Sequence, residues 1–160
     1  MNAMTARGLS LGLVIAVWAL ISHFAKLPMQ LWPVVVGLAC FVATGGGMSG
    51  AQKAIGGTVS GVIWAMLYVA VSGVLGRSPV VDALVLGVAV FGMVFQARFP
   101  LLSYTAGAIA GAAVAMGVLG IRRMTIEGGF KVAIALAIGA GLGYAAEFVM
   151  AQINARMRSA

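Results

Sequence analysis

Ala54-Ile-Gly-Gly-Thr-Val-Ser-Gly-Val-Ile-Trp-Ala-Met-Leu-Tyr-Val-Ala-Val-Ser-Gly-Val-Leu-Gly76 is the stretch that decides the fold. Lys53 and Arg77 bracket it, and no charge interrupts it. A helix needs about 20 apolar residues to cross the roughly 30 Å hydrocarbon core of a bilayer, and this run supplies them. Its apolar residues are continuous instead of alternating, which separates it from a membrane β-strand. Lipid offers the backbone no hydrogen bonds, so the peptide groups must pair within the segment. The run reads as a transmembrane helix.

Similar runs lie on both sides of it. Leu9 to Phe24 ends at Lys26, Leu27 and Pro28. A second run opens at Gln30-Leu31-Trp32-Pro33 and stays apolar to Ala43. After the quoted stretch, Arg77, Ser78 and Pro79 precede a fourth run, Val80 to Gln96, stopped by Arg98 and Pro100. Leu101 to Gly120 is the fifth and meets Arg122 and Arg123; Val132 to Ala151 is the sixth, with Arg156 and Arg158 beyond it. The expectation is an all-α, polytopic transmembrane bundle of about six helices, forming a single domain over residues 1–160. Arg7 and the apolar Leu9 to Ile21 have the shape of a signal peptide, but no small-x-small cleavage site comes after them. The segment reads as the first span.

Composition agrees. The chain is 62% hydrophobic and 8% charged, with a mean hydropathy of +1.11, whereas soluble domains carry about 25% charged residues. The net charge of +7 would raise nucleic acid as a partner for a soluble protein. Here the basic residues stand singly at the ends of apolar runs, where they meet lipid headgroups. No nucleic-acid partner is expected. Alternating spans divide the basic residues evenly, so the positive-inside rule does not orient the chain; the basic tail favours cytoplasmic termini. Cys40, the single cysteine, offers no intrachain disulfide, and neither metal nor cofactor is expected. No nucleophile elbow or carboxylate pair is present, so an enzyme is the least favoured class. His23 reads as an interfacial side chain, and Asp82 and Glu147 read as interface-facing in preference to proton relays.

Two interruptions carry the candidate chemistry. The first holds Thr44, Gly46, Gly47, Ser49, Gly50, Gln52 and Lys53; the second holds Gln96, Arg98, Ser103, Tyr104 and Thr105. Irregular backbone at membrane depth survives only inside protein or beside a wet cavity, so both are expected to line a polar path. Trp18 and Trp64 lie within spans, either as core or as an aromatic constriction, with packing favoured. Glycines four apart (Gly57/Gly61, Gly107/Gly111, Gly139/Gly143) give flat faces for helix packing, within the bundle in the first instance. An offset of fifty residues relates Gly57, Gly61, Ala65 and Met66 to Gly107, Gly111, Ala115 and Met116, which suggests an internal repeat with glycine-broken helices.

The runs Phe41-Val-Ala-Thr-Gly-Gly-Gly-Met-Ser-Gly50 and Ser60-Gly-Val-Ile-Trp-Ala-Met66, with Gln96-Ala97 and Leu101-Leu-Ser103, resemble the YcdZ-type small bacterial inner-membrane proteins, a domain-of-unknown-function family. The resemblance implies a multi-pass inner-membrane location and supplies no substrate. Ala106-Gly107 stands where that family usually has Pro-Gly, which implies a softer break there. Gly47 to Gly61 also resembles, more distantly, the glycine-rich helix start of fusaric-acid-resistance-type exporters. Three functions are weighed: a channel or facilitator for a small polar solute such as urea or another amide; an organic-anion exporter or channel using Lys53 and Arg98; and a non-transporting protein that stabilises or regulates a partner. Neutral hydrogen-bonding side chains beside glycine-rich breaks favour the first. Small-residue faces in excess of one bundle's needs favour a homo-oligomer in the lipid bilayer.

Overall fold

The computed structural model describes residues 3–26, 30–120 and 123–158; Leu27, Pro28 and Arg122 lie outside them. Among the described residues there are six α-helices and no strand: α1 (Ala3–Phe24), α2 (Leu31–Ala43), α3 (Gly47–Val74), α4 (Pro79–Phe95), α5 (Thr105–Leu119) and α6 (Ile126–Arg158). Two single 3-10 turns, Gln96–Arg98 and Pro100–Leu102, join α4 to α5. Local chemistry sets the boundaries. Ser78 caps α4 by accepting the Val81 N–H at 3.2 Å, with Pro79 in the first turn, where its missing N–H costs nothing. Gly120, at φ +69°, closes α5.

Four helical stretches have the length and apolarity to cross a bilayer: Met4–Phe24, Gly47–Val74, Pro79–Arg98 and Ile126–Gln152. The other two fall short of the expected full spans. α2 has 13 residues and α5 has 15; at 1.5 Å per residue they reach about 20 and 22 Å, against a core of about 30 Å. α3 correspondingly starts at Gly47, seven residues before the expected Ala54. The glycines at 45, 46 and 47 all take positive φ, so the chain reverses in three residues and the helix begins at once.

The helices alternate in direction. Arg7 and Ser10 of α1 face Ala146 and Glu147 of α6, so those two run antiparallel. Gly37 meets Leu136 while Phe41 meets Gly143, so α2 and α6 run parallel. α3 lies antiparallel to α4, with Trp64 on Gly92, and parallel to α5, with Gly57 on Tyr104 and Gly61 on Ala108. Both interruptions therefore sit at one end of the bundle, with the N-terminus of α1 and the later turns of α6.

The core forms around α3 and α6. Val62, Ala65, Met93, Ala108, Ala112, Val114, Ala115, Val132 and Leu136 make one buried cluster, and Cys40, Phe41, Ala51, Ala54 and Ala140 a second. α1 and α4 lie outermost and leave most of their apolar surface uncovered. Leu84, Val88, Phe91 and Phe95 of α4 are all exposed, as lipid-facing residues should be and water-facing ones should not.

Candidate functional site: the seam between α2 and α6

The two interruptions are turns at the end of the bundle, not gaps within spans, and their polar groups are largely occupied. The Thr44 hydroxyl lies 2.7 Å from the Phe41 carbonyl and 3.0 Å from that of Gly50, which ties the end of α2 to the start of α3. The Gly47 N–H donates to both carboxylate oxygens of Glu147, at 3.0 and 3.1 Å. A side chain at Gly46 would collide with the same carboxylate. Thus Glu147, a hundred residues away in sequence, satisfies an amide that the first turn of α3 leaves without a helical partner. Ser49 and Gln52 are exposed and Lys53 is half-buried on the opening turns of α3.

In the second interruption Gln96 is a bridge. Its amide nitrogen donates to the Ser60 hydroxyl at 2.8 Å and its oxygen accepts from the Trp64 indole at 2.9 Å. The Ser60 hydroxyl donates to the Gly57 carbonyl at 2.7 Å, completing a chain that pins α4 to α3. Trp64 also covers Gly92, so it packs between helices; Trp18 is half-buried on α1. Arg98 is exposed, its guanidinium 4.0 Å from the Phe95 ring centre. Ser103 donates to the Pro100 carbonyl at 2.8 Å, Tyr104 packs against the Cys40 cluster, and Thr105 opens α5. A Cβ at Gly56 or Gly57 would stand 2.5 Å from the Leu101 oxygen or 2.7 Å from the Tyr104 oxygen. The second interruption is laid directly onto α3.

The paired glycines serve contacts within the chain. Gly61 faces the Ala108 carbonyl, Gly111 the Thr58 carbonyl, Gly139 the Val34 carbonyl, and Gly143 the Phe41 ring; Gly107 accommodates the ring of Tyr104. Fifty residues beyond Thr58 and Gly61 stand Ala108 and Gly111, so two of these contacts exchange under the repeat offset. At these two contacts the α3–α5 crossing is locally pseudo-symmetric.

Open space lies elsewhere. A cavity of about 160 Å³ at the end of the bundle shared by the interruptions is lined by Arg7, Ser10, Phe41, Gly45, Gly143 and Glu147, among others. At the opposite end a cavity of about 250 Å³ is bounded by Gln30, Pro33, Leu119, Gly128, Lys131 and Val132, among others. The α6 members of both sets (Gly128, Lys131, Val132, Ala135, then Gly143, Ala146, Glu147, Met150) recur at helical spacings of three and four, so they form one stripe. Gly139 lies on it. Between the cavities, Gly37 against Leu136 and Gly139 against Val34 and Leu38 bring the two backbones into contact. From Ala135 to Gly143 this closed zone spans about 12 Å of helix. In outline the arrangement is an hourglass: two cavities at opposite ends of the α6 stripe, the first walled also by α1 and the second by Val118 and Leu119 of α5, with a glycine-packed waist of α2 on α6 between them.

Sequence reading misses Arg7, Ser10 and Glu147 as a group because they lie on different helices. The one signal is a carboxylate among apolar residues in a late helix turn, which by itself reads as an interface residue. Among the described residues no three His, Cys, Asp or Glu side chains gather as a metal site would require.

Comparison with known proteins agrees with the membrane reading. The chain is 31% identical to the uncharacterized protein YahC of Escherichia coli (strain K12) over 121 residues, 69% of this chain and 73% of that protein. It is 25% identical over 146 residues to the inner membrane protein YcdZ of the same organism, covering 91% of this chain and 84% of the other. No solved structure matches. A family model described as a protein of unknown function, DUF1097, matches residues 8–151, and with the apolar six-helix fold this places the chain as a membrane protein of the DUF1097 family.

Proposed function

We propose that this protein is a multi-pass inner-membrane transporter or facilitator that moves a small polar solute along the seam between α2 and α6. The hourglass carries the reading: chambers of about 160 and 250 Å³ open at opposite ends of the same helix stripe. A waist of backbone against backbone has little to hold it except close packing, because membrane helices gain no hydrophobic energy by leaving lipid for one another. A small shift of α2 against α6 would open it toward either face, the alternation that such transporters use. α2 is the shorter partner of the seam, 13 residues against 33 in α6, and is the element that would shift.

Flux into proteoliposomes, followed by stopped-flow light scattering over a panel of small amides, amines, amino acids and anions, tests the proposal. Permeation of at least one class above empty liposomes is expected, and none above background would overturn it. The organic-anion reading depends on Lys53 and Arg98, which lie outside the residues lining both chambers; Lys53→Gln and Arg98→Gln are therefore expected to leave flux unchanged. Gly8 and Gly12 of α1 face open space, unlike the glycines of the seams, and support assembly into a homo-oligomer. Mass measurement in lipid nanodiscs checks that part, and an active monomer would contradict it.

A further inference from the structure

The chamber beside Thr44–Gly47 holds an arrangement that bears on the solute itself. Arg7 of α1 and Glu147 of α6 both line it, yet they make no ion pair; the salt bridge present among the described residues joins Lys131 to Glu127 at 2.7 Å. Arg7 is exposed and Glu147 half-buried, so each keeps contact with solvent and neither needs the other to offset burial. Glu147 is committed to the Gly47 amide through both oxygens. Arg7 stands on the first turns of α1, where its carbonyl accepts the hydroxyl of the buried Ser10 at 3.0 Å, an ordinary bond within the helix that leaves the guanidinium free to turn toward the chamber.

We propose that this chamber is a binding site for a small zwitterion, with the ligand's ammonium on Glu147 and its carboxylate on Arg7. This rests on the reading of the α2–α6 seam as the solute path and narrows it. A neutral amide would leave both charges unanswered. A simple cation would meet Glu147 but be repelled by Arg7, and a simple anion the reverse. A zwitterion completes two charge-assisted pairs at once, and the carboxylate geometry suits the planar guanidinium fork. A chamber of about 160 Å³ has room for a ligand of the size of a small amino acid. Phe41, Leu11 and Met150 on the remaining wall leave an apolar contact for a short methylene or methyl group and no third charge.

Binding is measured apart from transport, by titration calorimetry and thermal shift on the purified full chain in nanodiscs. The probes are four solutes of similar size: glycine, propionamide, propionate and n-butylamine. Glycine is expected to bind at least tenfold more tightly than the other three. Arg7→Gln should abolish that preference and leave n-butylamine the best ligand of the four. Glu147→Gln, which keeps an oxygen for the Gly47 amide, should instead favour propionate. Three results would overturn the assignment: equal binding of all four, a glycine preference that survives Arg7→Gln, or binding of none by about 10 mM, a concentration at which two charge-assisted pairs should already tell. Arg7 is exposed, so its variant remains informative should Glu147→Gln fail to fold. Glycine binding without flux would refute the transport reading and leave the site standing, whereas flux of amides without glycine binding would do the opposite.

Discussion

The seams α3–α5 and α2–α6 are built alike and end differently. Each joins two parallel helices, a long one and a short one, and each brings glycine onto a facing backbone carbonyl: Gly61 on Ala108, Gly139 on Val34. At the end of the bundle shared by the interruptions, the α3–α5 seam continues into the 3-10 turns, where Leu101 and Tyr104 cover Gly56 and Gly57. The α2–α6 seam instead opens there onto Arg7, Ser10 and Glu147. The opposite ends differ in chemistry. Gln30 and Lys131 border the α2–α6 chamber, while the space near the far part of α3 is lined by Ile63, Met66, Leu67 and Met124 and is apolar. Glycine spacing, then, reports where backbones meet. Where they part depends on which helix is short and on the turn that ends it.

The largest effect separates the glycines that meet a backbone carbonyl, in either seam, from the glycine on the chamber wall. Gly61→Val and Gly139→Val each place side-chain atoms against a carbonyl that cannot withdraw without moving a helix, and overpacking of that kind costs on the order of 3 kcal/mol. Both variants are expected to be lost as monodisperse protein in fluorescence-detected size exclusion. Gly143→Ala meets the ring and Cβ of the buried Phe41, a side chain that can adjust about its own bonds where a carbonyl cannot, so the cost should be smaller, about 1–2 kcal/mol. Equal losses at all three positions would mean that the chamber is no softer than the waist.

A pair of cross-links tests whether α2–α6, and not α3–α5, is the seam that transport requires to move. A Cβ built at Gly143 lies 3.1 Å from the Cβ of Phe41, and one at Gly57 lies 3.4 Å from that of Tyr104, near the ~3.5–4.5 Å that disulfides span. On a Cys40→Ser background, oxidised Phe41→Cys/Gly143→Cys is expected to lower flux at least tenfold, reversibly on reduction. Oxidised Gly57→Cys/Tyr104→Cys should leave flux within twofold of its reduced form. Inhibition by the second bond and not the first would move the path to α3–α5.

Glu147→Ala comes next. It removes the acceptor of the Gly47 amide and leaves a half-buried donor unpaired, a loss of about 1–2 kcal/mol seen as a lower unfolding temperature in detergent. Glu147→Gln retains an acceptor and should lose less than half as much. If both fell equally, the role of Glu147 would be its charge and not the closure of the turn.

The fold is more legible in the sequence than the site. Six apolar runs between single charges mark the helices, since hydropathy and length report directly on solvation by lipid. The end of α2 at Ala43 is legible in the glycines that follow it, but the start of α3 is less so: it begins at Gly47 and not at Ala54, at a turn whose amide is met by Glu147, and nothing local announces a contact a hundred residues away. The same reason hides the chambers. Thr44, Gly46, Gly47, Gly50 and Gln96 stand out in the sequence as special positions, but what makes them special is closure of turns and pinning of α4 to α3. Glycine and amide side chains look alike in a sequence whether they line a space or fill one. Only the packing of α1 against α6 brings Arg7 and Glu147 to one wall.

The smallest expected effect falls on the polar residues that those closures leave over. Ser49 and Gln52 stand exposed on the first turns of α3, at the same end of the bundle as the Glu147 chamber but outside its lining. A solute path through the first interruption would have to pass them, and each would then lose a hydrogen bond to the solute on truncation. A path along α2–α6 enters past Gly45 and Ser10 and does not touch them. Surface substitutions that break no cap, pair or core contact shift stability by about 0.5 kcal/mol or less, so Ser49→Ala and Gln52→Ala should unfold at essentially the wild-type temperature. Their flux in proteoliposomes should stay within twofold of wild type, while Ser10→Leu, which fills the chamber, lowers it. A fivefold loss in Gln52→Ala with unchanged stability would return the path to the Thr44–Lys53 segment and leave the α2–α6 chambers as packing defects.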